Sequence, residues 1–435
     1  MNALISRFLK GGFIRKVLVM VSGTAGAQAI ILLASPLITR IYGPEAFGVL
    51  GVFMAVSMIL IPASGLGYPI AIVLPKHEGE AVGVTKISLW LSVGMALLSL
   101  VIAFLFGEEL LELLNFTDIN NYLYFIPLVI LFGSLLQISE QWAVRLQEFG
   151  VIARTNMYHA LIVQGSMVGI GLIYPFAFVL IIMNVTGQLL KAVFMGTGSL
   201  RKRKSKGSID VTHPPLKETA RKYKDFPRYR APEMFLNAVS QNIPIMLLSS
   251  LFGPAAAGFF TLSRRVLAAP ATLIGKAVGD VFYPRITEAY YNKESLQKLI
   301  KKATLGLSLA GLIPYGTVVL LGPWLFGFVF GDEWVQAGEY ARWMALASFF
   351  GFINSPSVKA LPVLSAQGFQ LLFTIVMLTV RIAMLAVGSF VFESDLVAIA
   401  LFGLSGAVLN SLLIMITINI SKKFDETSLN KTEGE

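Results

Sequence analysis

The stretch Thr39–Gly48, TRIYGPEAFG, decides how this chain is read, because Ser249–Phe260, SSLFGPAAAGFF, says nearly the same thing again. Setting Gly43-Pro44 on Gly253-Pro254 also aligns Tyr42 with Phe252, Ala46 with Ala256 and Gly48 with Gly258. A proline follows in both copies, Pro62 and Pro270, and the copies lie about half of the 435-residue chain apart. Each copy closes one apolar segment and opens the next, as a Gly-Pro turn between two helices does. Two such related halves of a membrane protein enclose one central site between them.

The composition supports a membrane setting. The chain is 55% hydrophobic and 14% charged with a mean hydropathy of +0.72, too apolar for a soluble chain of this size. It has no cysteine, which excludes thiol chemistry, disulfides and Cys-ligated metals. His77, His159 and His213 lie far apart without metal-ligand spacing, so no metal site is expected. The net charge of +10 fits basic inner loops before it demands a polyanionic partner. Arg7, Lys10, Arg15 and Lys16 precede an apolar run in the manner of a signal peptide. That run continues to Ile38, a full membrane span, so an uncleaved first helix is expected.

About twenty apolar residues cross a bilayer as a helix. That rule predicts an all-α polytopic protein of about twelve spans. Spans one to six are expected near residues 16–38, 46–74, 87–106, 122–144, 155–174 and 175–195. Spans seven to twelve are expected near 232–251, 257–281, 303–329, 340–364, 371–392 and 396–420. The domains are then a first lobe over 1–199, a basic linker over 200–230, a second lobe over 231–420 and a charged tail over 421–435.

The connections alternate in charge. Lys76 and Lys86, Arg145 and Arg154, the RKRKSKG block from Arg201 with Lys217 to Arg230, Arg285 to Lys302, and Lys422 with Lys423 all fall on one side. Glu108, Glu109, Glu112, Asp118, Asp332, Glu333, Glu393 and Asp395 fall on the other, with Arg40 as the exception. The positive-inside rule then predicts both termini and the middle loop in the cytoplasm, in a multi-pass cytoplasmic (inner) membrane protein. The basic middle loop could hold anionic lipid headgroups or nucleic acid. It is read here as a linker that touches lipid, with no nucleic-acid partner.

Charges inside spans are costly unless they meet a partner or water. Arg264 and Arg265 lie two turns into the eighth span, which also holds Lys276, and Arg381 falls near the middle of the eleventh. Acids at span depth are few: Glu140, Glu233 and Asp280. Arginine matches phosphate oxygens in bidentate geometry, so a cationic cavity points to a pyrophosphate-bearing substrate. The competing reading is a structural network in which these arginines pair with Asp280, Glu233 or helix-end carbonyls. Adjacent helical residues point about 100° apart, so one of Arg264 and Arg265 faces the cavity squarely. Gln28, Asn237, Gln241 and Asn242 are candidate sugar contacts. Catalytic motifs are missing: Gly275-Lys276 lacks the rest of a P-loop, and neither GxSxG nor HExxH occurs. No enzyme activity and no cofactor is expected.

Three segments carry a family resemblance: TRIYGPEAFG; FPRYRAPEMFLNAVSQNIPIMLL over Phe226–Leu248; and AGFFTLSRRVLAAPATLIGKAVGDVFYPRI over Ala257–Ile286. Together with the span count over the whole chain, they resemble the polysaccharide transporters of the multidrug/oligosaccharidyl-lipid/polysaccharide (MOP) flippase superfamily, the O-antigen and teichuronic-type repeat-unit exporters. The resemblance implies a V of two six-helix lobes around a cationic cavity. It implies translocation of undecaprenyl-diphosphate-linked oligosaccharides between leaflets by alternating access, for surface polysaccharide or lipopolysaccharide. It also suggests a downstream polysaccharide polymerase as a protein partner. By that analogy Arg264 or Arg265, with Arg381 and Arg40, would meet the pyrophosphate. The alternative is an ion-coupled small-molecule antiporter of the same superfamily. The first span carries no Asp or Glu, which counts against that alternative and leaves the coupling ion open.

Overall fold

A computed structural model describes residues 12–113, 116–204, 214–272, 276–292, 294–364 and 366–432. Helices occupy each of the twelve expected positions, and no strand occurs among the described residues. Eight of the described helices are long and apolar enough to cross a membrane. The chain is an all-α polytopic membrane protein.

The Gly-Pro repeat sets the frame. Helix α1, Gly12–Ser64, carries the first two spans and is broken at Gly43, where φ is 67° and ψ is 173°. Helix α8, Ala231–Phe252, ends on Gly253 with φ 84° and ψ 175°, and α9, Pro254–Pro270, begins at once. The two glycines therefore share one left-handed conformation that a side chain would strain. Proline then starts the next helix, where its missing N–H is not needed.

The repeats also touch. A Cβ on Gly48 would fall on the carbonyl oxygen of Pro254, and one on Gly258 would fall on that of Pro44. Each glycine accepts the backbone of the other copy, a reciprocal crossing that only residues without a side chain permit.

Two compact units divide the chain at Gly258–Phe259. In the first, α2 is Tyr68–Ala71, α3 Glu78–Leu113, α4 Ile126–Arg145, α5 Phe149–Gly171, α6 Ala177–Lys204 and α7 Leu216–Lys222. Helix α1 packs on α5 and α8, and α4 packs on α6. The seventh expected span, α8, thus lies within the first unit. In the second unit, α10 is Lys276–Tyr291, α11 Leu296–Phe330, α12 Val335–Ile353, α13 Ser355–Ala360, α14 Gln367–Phe390 and α15 Asp395–Thr432. There α12 packs on α11 and α15, and α14 packs on α15.

Two expected spans are not continuous. The second ends at Ser64 and resumes as the short α2, and the tenth ends at Ile353 before α13. Pro62 and Pro356 stand at these breaks, where a missing N–H and a ring clash stop the i→i−4 ladder. In the eighth, residues 271–272 continue α9 as a π-helical turn and residues 273–275 lie outside the described residues.

In each unit, a polar segment following a span docks at the start of a long helix. In the first unit, α7 lies against Gly83 of α3, where a Cβ would come within 3.2 Å of Thr219 Oγ1. Tyr68 donates its hydroxyl to the Ala220 carbonyl at 3.1 Å, and Tyr223 donates to Glu80 at 3.2 Å. Lys222 pairs with Glu80, and that hydrogen-bonded carboxylate holds the ammonium above its ordinary pKa. Part of the basic linker is therefore structured; residues 205–213 lie outside the described residues.

In the second unit, Asp425 of α15 accepts from Ser295 Oγ at 2.8 Å and from the N–H groups of Leu296 and Gln297 at 3.0 Å each. A carboxylate here satisfies orphan donors at the start of α11 and meets its positive dipole end. Asp425→Ala should cost about 1–2 kcal/mol locally. Amide hydrogen exchange should speed up over residues 296–301 while the remainder of α11 stays protected; unchanged exchange there would rule out the cap.

Candidate functional site

The second unit holds three of the four predicted arginines. Arg264 and Arg265 stand side by side on α9, both half-buried, and Arg381 stands on α14, also half-buried. Arg381 lies flat against α15, its guanidinium carbon 4.0 Å from the centroid of the Phe402 ring. One turn further along α15, Gly406 leaves the slot open; a Cβ there would come within 3.2 Å of Arg381 Nε. The Nε itself is buried and makes no hydrogen bond. The face of an aromatic ring attracts a cation, and more strongly when water is excluded.

The same Phe402 packs edge-on against Phe260 of α9 at 6.3 Å, which ties the arginine-bearing helices to one ring. Helix α9 is held in rotation by Ser263, which donates to the Ala337 carbonyl of α12 at 2.7 Å. Arg264, Arg265 and Arg381 all lie on helices of this unit, where a charge is costly unless it meets a partner or water.

Several carboxylates of this unit have partners of their own. Glu294 pairs with Arg285, Glu339 with Arg342 at 3.1 Å, and Glu426 with Lys422 at 3.7 Å. Asp395 accepts from Tyr340 at 2.5 Å, and Asp425 caps α11. The side chains of Lys276 and Asp280 lie outside the described residues.

The other predicted residues belong to the first unit. Arg40 is exposed, three residues before the Gly43 break, and Gln28 is half-buried on α1. Asn237 and Gln241 are exposed one turn apart on α8, in line with Glu233. Glu233 pairs with Arg230 at 2.6 Å. Asn242 is buried and donates its amide to the Ala238 carbonyl at 2.8 Å.

The sequence reading passed over three residues that the structure brings forward. Phe402 and Gly406 give no sequence signal, being ordinary residues of an apolar span. Lys191 does: it falls inside the sixth expected span and belongs among the intramembrane charges. It pairs with Glu140 at 3.1 Å.

The fold has known counterparts. A multidrug resistance MATE family transporter of the MOP superfamily, in its inward-facing conformation, superposes with a TM-score of 0.70 at 14% identity, over 91% of this chain and 96% of that one. The lipid II flippase MurJ, in an inward closed conformation, superposes at 0.66 with 11% identity, over 95% and 91%. In sequence, the succinoglycan biosynthesis transport protein ExoT of Rhizobium meliloti (strain 1021) is 22% identical over 365 residues, 80% of this chain and 67% of its own length. Residues 37–339 match the family model described as polysaccharide biosynthesis protein, a span that includes both Gly-Pro repeats and Arg264, and the chain is a member of that family.

Proposed function

We propose that this protein is a flippase that moves undecaprenyl-diphosphate-linked oligosaccharide repeat units across the cytoplasmic membrane, by alternating access, for surface polysaccharide synthesis. The observation that carries this reading is Arg381 inside the membrane helices, laid in the Phe402–Gly406 slot with its Nε buried and without a hydrogen bond. A diphosphate carries the charge and the oxygens that a guanidinium binds best. The family membership and the transport role of the succinoglycan relative support the same class of cargo. In this reading the protein is a transporter and not an enzyme, uses no cofactor and draws on an ion gradient. Both termini and the basic linker lie in the cytoplasm, as the loop charges require.

Deleting the gene and extracting the lipids tests the reading. Lipid-linked repeat units should accumulate on the inner leaflet while surface polysaccharide disappears. Intact surface glycan with new sensitivity to cationic dyes would instead make the substrate a small molecule and overturn the anion site.

A further inference from the structure

Helices α12 and α15 of the second unit pack along a seam of small residues. A Cβ at Gly403 would fall on the Trp343 carbonyl oxygen, so the two backbones touch there. About one turn on, a Cβ at Gly406 would come within 3.0 Å of the Ala347 side chain. Another turn on, a Cβ at Gly351 would lie 3.9 Å from the Asn410 amide nitrogen. Trp343 thus faces Gly403, Ala347 faces Gly406 and Gly351 faces Asn410, which makes the two helices parallel. Small residues let helices in a membrane approach this closely, and polar side chains between them act as specific ties.

The seam ends in such a tie. Asn354, only 2% exposed, donates its side-chain amide to Asn410 Oδ1 at 3.0 Å. Asn410 donates its own amide to the Gly406 carbonyl at 2.8 Å, and so holds its oxygen toward Asn354. Asn354 stands at the break between α12 and α13. Its Oδ1 is buried and makes no hydrogen bond. A half-satisfied buried amide costs free energy that an apolar side chain would avoid. Stability therefore does not account for the pair, whereas a buried asparagine between helices is well suited to fixing their register.

Gly406 joins this seam to the arginine slot. Its absent Cβ, which would meet Ala347, would also come within 3.2 Å of Arg381 Nε. Phe402, Gly406 and Asn410 follow one another at four-residue spacing on one face of α15. A slip of α15 by one residue would turn Gly406 out of the slot by about 100°.

We infer that Asn354 and Asn410 are positioning residues: their hydrogen bond fixes the register of α15 on α12, and with it the place where Arg381 stands. The inference rests on the proposed function, in which Arg381 meets the diphosphate, and adds two uncharged residues to that site. Asn354 is too buried to touch the cargo and acts through Arg381.

The test uses Asn354→Leu, Asn410→Leu and the double variant N354L/N410L in the full-length protein, expressed in a deletion strain. Each should lower surface polysaccharide about tenfold at unchanged protein level, since about 1 Å of misplacement can cost up to about a hundredfold. The purified double variant should keep the wild-type unfolding midpoint in detergent, because replacing both partners of a buried hydrogen bond by apolar groups is close to neutral. Added to Arg381→Ala, N354L/N410L should lower export no further, as expected of residues that act through that arginine. A further tenfold fall in that background, or lost export that tracks a fallen unfolding midpoint, would overturn the positioning role. Normal export by N354L/N410L alongside failure of Arg381→Ala would also overturn it, yet would leave the flippase reading standing. Failure of N354L/N410L alongside normal export by Arg381→Ala would place the pair's effect elsewhere and overturn it too. Normal export by both would sink the positioning role and the anion site together.

Discussion

Arg381→Ala is expected to lower surface polysaccharide about ten- to a hundredfold at unchanged protein level, and Arg264→Ala to do the same. The size follows from losing one charge-assisted contact to a diphosphate, worth about 1.5–3 kcal/mol. The double variant should be little worse than either single one, because residues that clamp one group act as a unit. Arg381→Lys keeps the charge but loses the planar group that lies on Phe402 at 4.0 Å, so it should recover only part of the activity. Gly406→Val removes no charge at all. Its side chain would occupy the place of the Arg381 guanidinium, and export should fall with it. The measurement is surface polysaccharide in a deletion strain carrying each variant, with accumulated lipid-linked intermediate as the second readout. Export unaffected by Arg264→Ala and Arg381→Ala would remove the anion site.

Gly48→Ala and Gly258→Ala should each abolish accumulation of folded protein. The added Cβ would sit on a backbone carbonyl, of Pro254 in one case and Pro44 in the other, and backbone cannot swing aside as a side chain can. Overpacking typically costs about 1–3 kcal/mol, and a clash with backbone stands at the upper end of that range. Gly94→Ala and Gly316→Ala provide the contrast, since nothing lies within 4 Å of a Cβ at either position. Those variants should reach wild-type levels and elute as one species from size-exclusion chromatography in detergent. Equal yields from all four would show that the crossing of the repeats does not hold the fold together.

Much of the architecture was legible before any coordinates, for a local reason. Whether a segment enters a bilayer depends on its own apolar length, so the twelve positions could be marked on the chain. Gly43-Pro44 and Gly253-Pro254 were equally readable, because a left-handed glycine followed by an N1 proline is a backbone preference of two adjacent residues. The continuous second span was an overestimate: hydropathy registers apolar side chains and is blind to the hydrogen bond that Pro62 removes.

The sequence by itself determined what belongs in the membrane, where the chain turns, and that cations dominate the second half of the buried charge. Tertiary structure alone decided which of these residues meet. Arg381 finds Phe402 and Gly406, Lys191 finds Glu140, Asp425 finds the start of α11, and the two Gly-Pro repeats cross at Gly48 and Gly258. Each meeting depends on how two helices are rotated and shifted against each other. At about 100° per residue, a single position of register turns a side chain from its partner to the lipid. That register is set by packing over whole helices and cannot be read from the residues at the contact.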